Sequence, residues 1–185
     1  SRLGKLWKQV AFYSILICLL NAVTIGVTRT DVVKAIFPIS AKTYWFASVY
    51  MGLLVLMPFV SMVAARMTRR QYQYLLGALT LFLSVNHMIF RVDTYGTFSG
   101  RELPWFIYLT LLAGYVKLHT KEDRRYAWYG FAGYVVSSLA VLASVYLSVK
   151  THQEDIGYFL NYNSPLALLG TLALFVCVRN LPWKE

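Results

Sequence analysis

The sequence predicts an all-α, polytopic membrane helix bundle of about six transmembrane helices, with both termini in the cytoplasm. Three observations predict it. The chain has 185 residues, 58% of them hydrophobic, and a mean hydropathy of +0.52. Its apolar residues gather in runs long enough to cross a hydrocarbon core of about 30 Å. The 18 Lys and Arg residues, which give a net charge of +10, sit between those runs, as orientation signals do. A soluble protein with this charge would point to nucleic acid. Here a Gly-rich phosphate loop and an aromatic/basic RNA motif are both missing, so no nucleic-acid partner is expected.

The elements follow in order. Lys5 to Gln9 is a basic, amphipathic approach, with Leu3, Leu6, Trp7 and Val10 on one side, expected to lie in the membrane interface. Helix one runs from Val10 to Val27. Asn21 interrupts it and reads as an interhelical hydrogen bond. In the connector 28–43, Val32, Val33, Ile36 and Phe37 are spaced for an interfacial half-helix, stopped by Pro38. Helix two, Tyr44 to Ala65, opens on Tyr44, Trp45 and Phe46 and is bent by Pro58.

Arg66, Arg69 and Arg70 form a stop. Helix three runs from Tyr74 to Phe90, and residues 91–103 form a polar loop with Gly96 and Gly100. Helix four, Pro104 to Leu118, reaches only roughly 22 Å. It must thin the bilayer, snorkel Lys117 or be shielded by other helices. The solvated loop 119–125 precedes helix five, Tyr126 to Val149, where Gly130, Ala132 and Gly133 offer a close-packing face. After the polar loop 151–157, Ser164 is suited to an N-cap and Pro165 to a first helical position. Helix six then runs to Val178. The N-terminus, the 66–70 loop, the 117–125 loop and the C-terminus carry twice as many Lys and Arg as the other loops, which sets the orientation.

Catalytic chemistry is not legible in the residues alone. Cys18 and Cys177 read as buried hydrophobes without a disulfide. His87 reads as a satisfied polar residue near an interface, His119 as solvent-exposed, and His152 fits no metal or acyl-transfer motif. No two histidines stand four apart and no Gly-x-Ser-x-Gly elbow occurs, so neither a helical metal site nor a nucleophile is expected. Every carboxylate falls in a loop or at the end, which weighs against a proton-coupled transporter. Two patterns stay open. Arg66, Arg69, Arg70, Lys121, Arg124 and Arg125 are either topology signals over lipid headgroups or a grip for an anionic cofactor. Tyr44, Trp45, Tyr50, Trp105, Tyr108, Tyr158 and Tyr162 are either an aromatic belt or stacking surfaces for a sugar.

Three passages carry a resemblance. Phe37-Pro38-Ile39-Ser40 leads into Tyr44-Trp45-Phe46, Tyr50 and Pro58-Phe59. Arg69-Arg70-Gln71 is followed by Tyr74-Leu75-Leu76. Asn163-Ser164-Pro165-Leu166 is followed by Ala173-Leu174-Phe175 and Asn180-Leu181. With the approach Leu6-Trp7-Lys8-Gln9-Val10, the ordered set resembles the central portion of the membrane acyltransferase-3 family over nearly the whole chain.

The resemblance implies a single transmembrane domain over 1–185, without the family's first and last helices. It implies a bacterial inner-membrane O-acyltransferase that moves an acyl group, acetyl above all, from acyl-CoA to hydroxyls of a cell-surface or exported polysaccharide or lipid-linked glycan. Acyl-CoA is then the donor substrate, with no bound cofactor. Tyr44, Trp45, Tyr50 and Asn163 would face the acceptor. Arg66, Arg69, Arg70, Arg124 and Arg125 would face the donor. The family's histidine would precede Ser1, so no catalytic residue is assigned here. The competing expectation is a non-catalytic multi-pass component, a transport or partner subunit.

Overall fold

The computed structural model describes residues 2–39, 41, 43–90, 95–151 and 158–182. Among these residues all regular structure is helical. Four helices are long and apolar enough to cross a membrane, namely Gly4–Thr24, Trp45–Arg66, Arg69–Phe90 and Arg124–Lys150. Their lipid-compatible surfaces set the chain in a bilayer. The chain divides into two compact units, Ser1–Phe59 and Val60–Glu185.

In the first unit, α1 (Arg2–Thr24) runs unbroken through the basic approach, so Lys5 to Gln9 is helix rather than a separate interfacial piece. It ends three residues before the expected Val27. The backbone N–H groups of Ile25 and Gly26 both donate to the Asn21 carbonyl, at 2.9 and 3.0 Å. Gly26 takes a φ of 81°, the left-handed turn that closes helices. Asn21 thus serves through its backbone, and its side chain is exposed.

The half-helix expected before Pro38 is α2 (Arg29–Ile36). The Thr28 hydroxyl accepts from Asp31 N–H while the Asp31 carboxylate accepts from Thr28 N–H. This reciprocal box satisfies two donors that no helical carbonyl can reach. The Thr28 hydroxyl, donating to the Asp31 carboxylate, and the Thr28 N–H hold that carboxyl below its ordinary range. Next comes α3 (Trp45–Arg66), which carries Pro58 inside it.

In the second unit, α4 (Arg69–Thr80), a π-helical segment (Leu81–Val85) and α5 (Asn86–Phe90) form one continuous helix, Arg69–Phe90. It starts five residues earlier than the sequence predicts. Thr68 and Gln71 form a second capping box, a device equivalent to the Ser/Thr-x-x-Glu/Gln signature. Arg69 and Arg70 are therefore first-turn residues, not part of a loop. Three helices follow: α6 (Leu103–His119), α7 (Arg124–Lys150, capped by Asp123) and α8 (Pro165–Arg179, capped by Ser164).

The core of this unit is Tyr72, Leu76, Leu83, Trp105, Tyr108, Leu111 and Leu168. Tyr72 donates to the Leu111 carbonyl at 2.8 Å, and the Thr80 and Tyr108 hydroxyls lie 2.7 Å apart. Trp105 and Tyr108 are each 1% exposed, which corrects their reading as outer aromatics. The short α6 resolves its length mismatch by shielding, and its rings are what the neighbouring helices cover.

Against α7, α8 packs closely through small residues. A Cβ on Gly130 would lie 2.6 Å from both the Ala173 carbonyl oxygen and the Cys177 nitrogen, and one on Gly133 3.2 Å from the Ala173 Cβ. One turn on, Ser137 donates to the Leu166 carbonyl at 2.5 Å. Ala132, expected on this face, is exposed instead.

At the other end of α8, Arg179 lashes α6 shut. Its guanidinium donates to the carbonyls of Val116, Lys117 and Thr120 at 2.5, 3.3 and 3.1 Å. These carbonyls belong to the open end of a helix, whose dipole favours a cation there. Arg179→Met keeps the apolar stem and removes the donors. It is expected to lower stability by about 2 kcal/mol, read as an earlier thermal unfolding transition in a fixed detergent. An unchanged transition would mean that solvent replaces the cap.

Candidate functional site

The strongest site is built around Asn163, which is 0% exposed. Three segments converge on it. The π-helical segment Leu81–Val85 winds wider than an α-helix, and such segments concentrate at functional positions. It presents the Leu83 carbonyl and the Ser84 hydroxyl. Asn163 Nδ2 donates to Leu83 O at 3.3 Å and to Thr97 Oγ1 at 3.1 Å, while Ser84 Oγ donates to the Asn163 backbone carbonyl at 2.7 Å.

The second segment is the turn after residue 95. The Thr97 carbonyl accepts from Gly100, Arg101 and Glu102 N–H groups at 2.9, 2.9 and 3.2 Å. Ser99 takes φ 59° and ψ 29°, a left-handed conformation uncommon outside glycine. The Tyr162 N–H donates to the Ser99 carbonyl at 3.1 Å. A Cβ on Gly100 would lie 2.7 Å from the Asn163 nitrogen, so only glycine lets the turn press on the third segment.

That segment is Asn161 to Ser164, leading into α8. Ser164 accepts from Ala167 N–H at 3.2 Å and donates to the Phe159 carbonyl at 2.9 Å. Asn163 Oδ1 is buried and has no partner among the described residues. Leaving a buried acceptor unmet costs about 1–3 kcal/mol. The amide is thus held in place inside the protein, with its oxygen unpaired. The flanking rim carries an exposed Tyr162, with the Arg101 guanidinium 5.9 Å from its ring centroid.

Arg69 and Arg70 lie at the other end of the helix that carries the π-helical segment. Arg69 reaches Tyr115 Oη at 3.5 Å, and Gln73 donates to the same oxygen at 2.7 Å. Arg66, Arg69, Arg70, Arg124 and Arg125 are all exposed. Two pairs of them occupy helix first turns, where a positive dipole end disfavours cations by about 0.3–1 kcal/mol. His119 is the last residue of α6 and half-buried, its ring 4.8 Å from that of Tyr115 and 6.1 Å from that of Tyr72. That corrects its reading as an exposed loop residue. His87 is half-buried two residues past the π segment. His152 and the side chain of Tyr158 lie outside the described residues.

Tyr44, Trp45 and Tyr50 belong to the first unit. Tyr44 and Trp45 are half-buried, and Tyr50 is exposed and stacks on Phe46 at 6.1 Å. Tyr44 borders an open cavity of about 280 Å³ with Asn21, Asp31 and Lys34. Among the described residues no group of His, Cys, Asp and Glu side chains could hold a metal ion.

Sequence reasoning named Asn163 and missed Ser84, Thr97, Ser99 and Arg179. Gly96 and Gly100 marked the turn but not its target. Together these features define a helical membrane protein with a buried polar cluster at one end of its helices and arginines at the other. No family model, curated protein or solved structure matches the chain.

Proposed function

We propose that the chain is the central portion of a membrane O-acyltransferase of the acyltransferase-3 kind, working in a bacterial inner membrane. In this reading the four long helices, with the shorter α6 and α8, make six spans, and both termini lie in the cytoplasm. The buried Asn163 cluster beneath the exposed Tyr162 carries the proposal. It stands at the far end of the helix Arg69–Phe90 from Arg69 and Arg70, which supports an acceptor on one face and an anionic donor on the other.

The reaction transfers an acyl group from thioester to hydroxyl. A base takes the acceptor's proton as the oxygen attacks the thioester carbonyl. The tetrahedral intermediate collapses, the carbon–sulfur bond breaks, and coenzyme A leaves as a thiolate that is then protonated. By the resemblance, that base is a histidine on a helix not contained in residues 1–185. The buried Asn163 braces the turn and the adjoining segment, and so positions the exposed Tyr162 and Arg101 rim on which the glycan rests. Within the first unit, Tyr44, Trp45 and Tyr50 offer an aromatic surface of their own for stacking on a sugar. Arg66, Arg69, Arg70 and Arg125, all exposed, bind the donor's phosphates, bidentate where geometry allows.

Acetyl-CoA binding by the 185-residue chain in lipid nanodiscs tests this. Saturable binding is expected, weakened about tenfold by Arg69→Gln with Arg70→Gln. The chain is expected to turn over no acetyl-CoA. Binding no stronger than that of inorganic phosphate would sink the donor site, leaving a non-catalytic membrane component. Turnover by the chain alone would sink the placement of the base.

A further inference from the structure

Beside α7 and α8 runs an apolar groove of about 490 Å³, lined by Arg124, Ala127, Trp128, Phe131, Cys177, Leu181 and Pro182. Its size falls within the range of about 300–1,000 Å³ typical of ligand sites. Arg124, Ala127, Trp128 and Phe131 follow the i, i+3, i+4, i+7 spacing of one helical face. The groove is therefore a stripe about 10 Å long with a guanidinium at one end. Trp128 is 72% exposed and Phe131 52%. Among the described residues, the Arg124 guanidinium has no ion pair or hydrogen bond.

We infer that this groove is a binding site for one anionic phospholipid, its phosphate on Arg124 and an acyl chain along Trp128 and Phe131. The charge decides between lipids. A zwitterionic lipid brings its own cation to the headgroup, whereas an anionic one matches the unpaired guanidinium and the positive end of α7. The exposed Trp128 ring, one turn from the charge, sits where indoles prefer to be, at the boundary between headgroup and chain. The small residues that seat α8 on α7 bring Cys177 and Leu181 up to form the second wall. The inference needs the membrane setting but not acyl transfer, and it moves Arg124 from the donor's phosphates to a lipid's.

The test is native mass spectrometry of the 185-residue chain, released from nanodiscs of equal phosphatidylcholine and phosphatidylglycerol. One retained phosphatidylglycerol is expected. Arg124→Gln is expected to cut its retention about tenfold, Phe131→Ala to cut it less, and Lys8→Gln to leave it unchanged. A second readout is fluorescence quenching by brominated lipids. Brominated phosphatidylglycerol is expected to quench the chain more than its Trp128→Phe variant, and brominated phosphatidylcholine to quench both alike. Equal retention of the two lipids, full retention by Arg124→Gln, or displacement of the lipid by acetyl-CoA would each overturn the proposal. Since acetyl-CoA binding is measured separately, failure here leaves the donor site standing, and the reverse holds.

Discussion

Replacing Gly130 with valine is expected to destabilise the chain by about 3 kcal/mol, the upper part of the range for overpacking. The first added carbon would meet the Ala173 carbonyl oxygen and the Cys177 nitrogen at 2.6 Å. Both are backbone atoms of α8, so no rotamer change can make room. The helix itself must move away, which would strip Ser137 of its bond to Leu166 and open the groove at Cys177. Thermal unfolding in a fixed detergent, followed by loss of helicity, reads the effect. Gly77→Ala is the internal control. Gly77 lies within α4 with open space around a Cβ, so alanine there is expected to raise stability by about 0.5–1 kcal/mol. If Gly130→Val and Gly77→Ala behave alike, small-residue packing does not hold α7 to α8.

The second large effect is expected from Asn163→Asp, which preserves shape and removes the amide's donors. The new oxygen would face the Leu83 carbonyl, 3.3 Å from the nitrogen it replaces, and Thr97 Oγ1 at 3.1 Å. An unpaired, buried carboxylate costs several kcal/mol. Protonation relieves it, because the acid form again carries a donor. Burial raises the introduced carboxyl's pKa, so the folded state holds the proton to higher pH than the unfolded chain. The deficit is therefore smallest below about pH 4, the unfolded value, and grows as pH rises through it. Unfolding transitions measured from pH 4 to 8 test the sign. A deficit independent of pH would mean that solvent reaches residue 163. Asn163→Ala would separate this electrostatic cost from the loss of the amide itself.

Both predictions fall at positions that the sequence marks, and the marks differ in kind. Gly130 and Gly133 sit three apart on a long apolar helix, and that spacing already points to close packing. Ser164 and Pro165 carry their cap and first-turn roles as residue types, since a cap is settled within one turn of chain. Thr68 and Gln71 form a box that the same rules contain. The run of arginines beside them reads as a loop, yet the cap starts the helix five residues earlier. Where local chemistry decides, the sequence is readable, and errors arise from giving one signal too much weight over its neighbour.

Nothing local marks the rest. Asn163 bonds to Thr97 and Leu83, 66 and 80 residues away. Arg179 caps carbonyls 59 to 63 residues away. Trp105 and Tyr108 look like interfacial rings until neighbouring helices cover them. The amino-acid order alone determined that the chain is helical, that it belongs in lipid and where most helices begin and end, because apolar periodicity and caps act over a few residues. Only the tertiary structure decided which rings are core, which amide is buried with an open acceptor and which arginine closes a helix. Those outcomes depend on what packs against what, and packing joins residues that the chain keeps far apart.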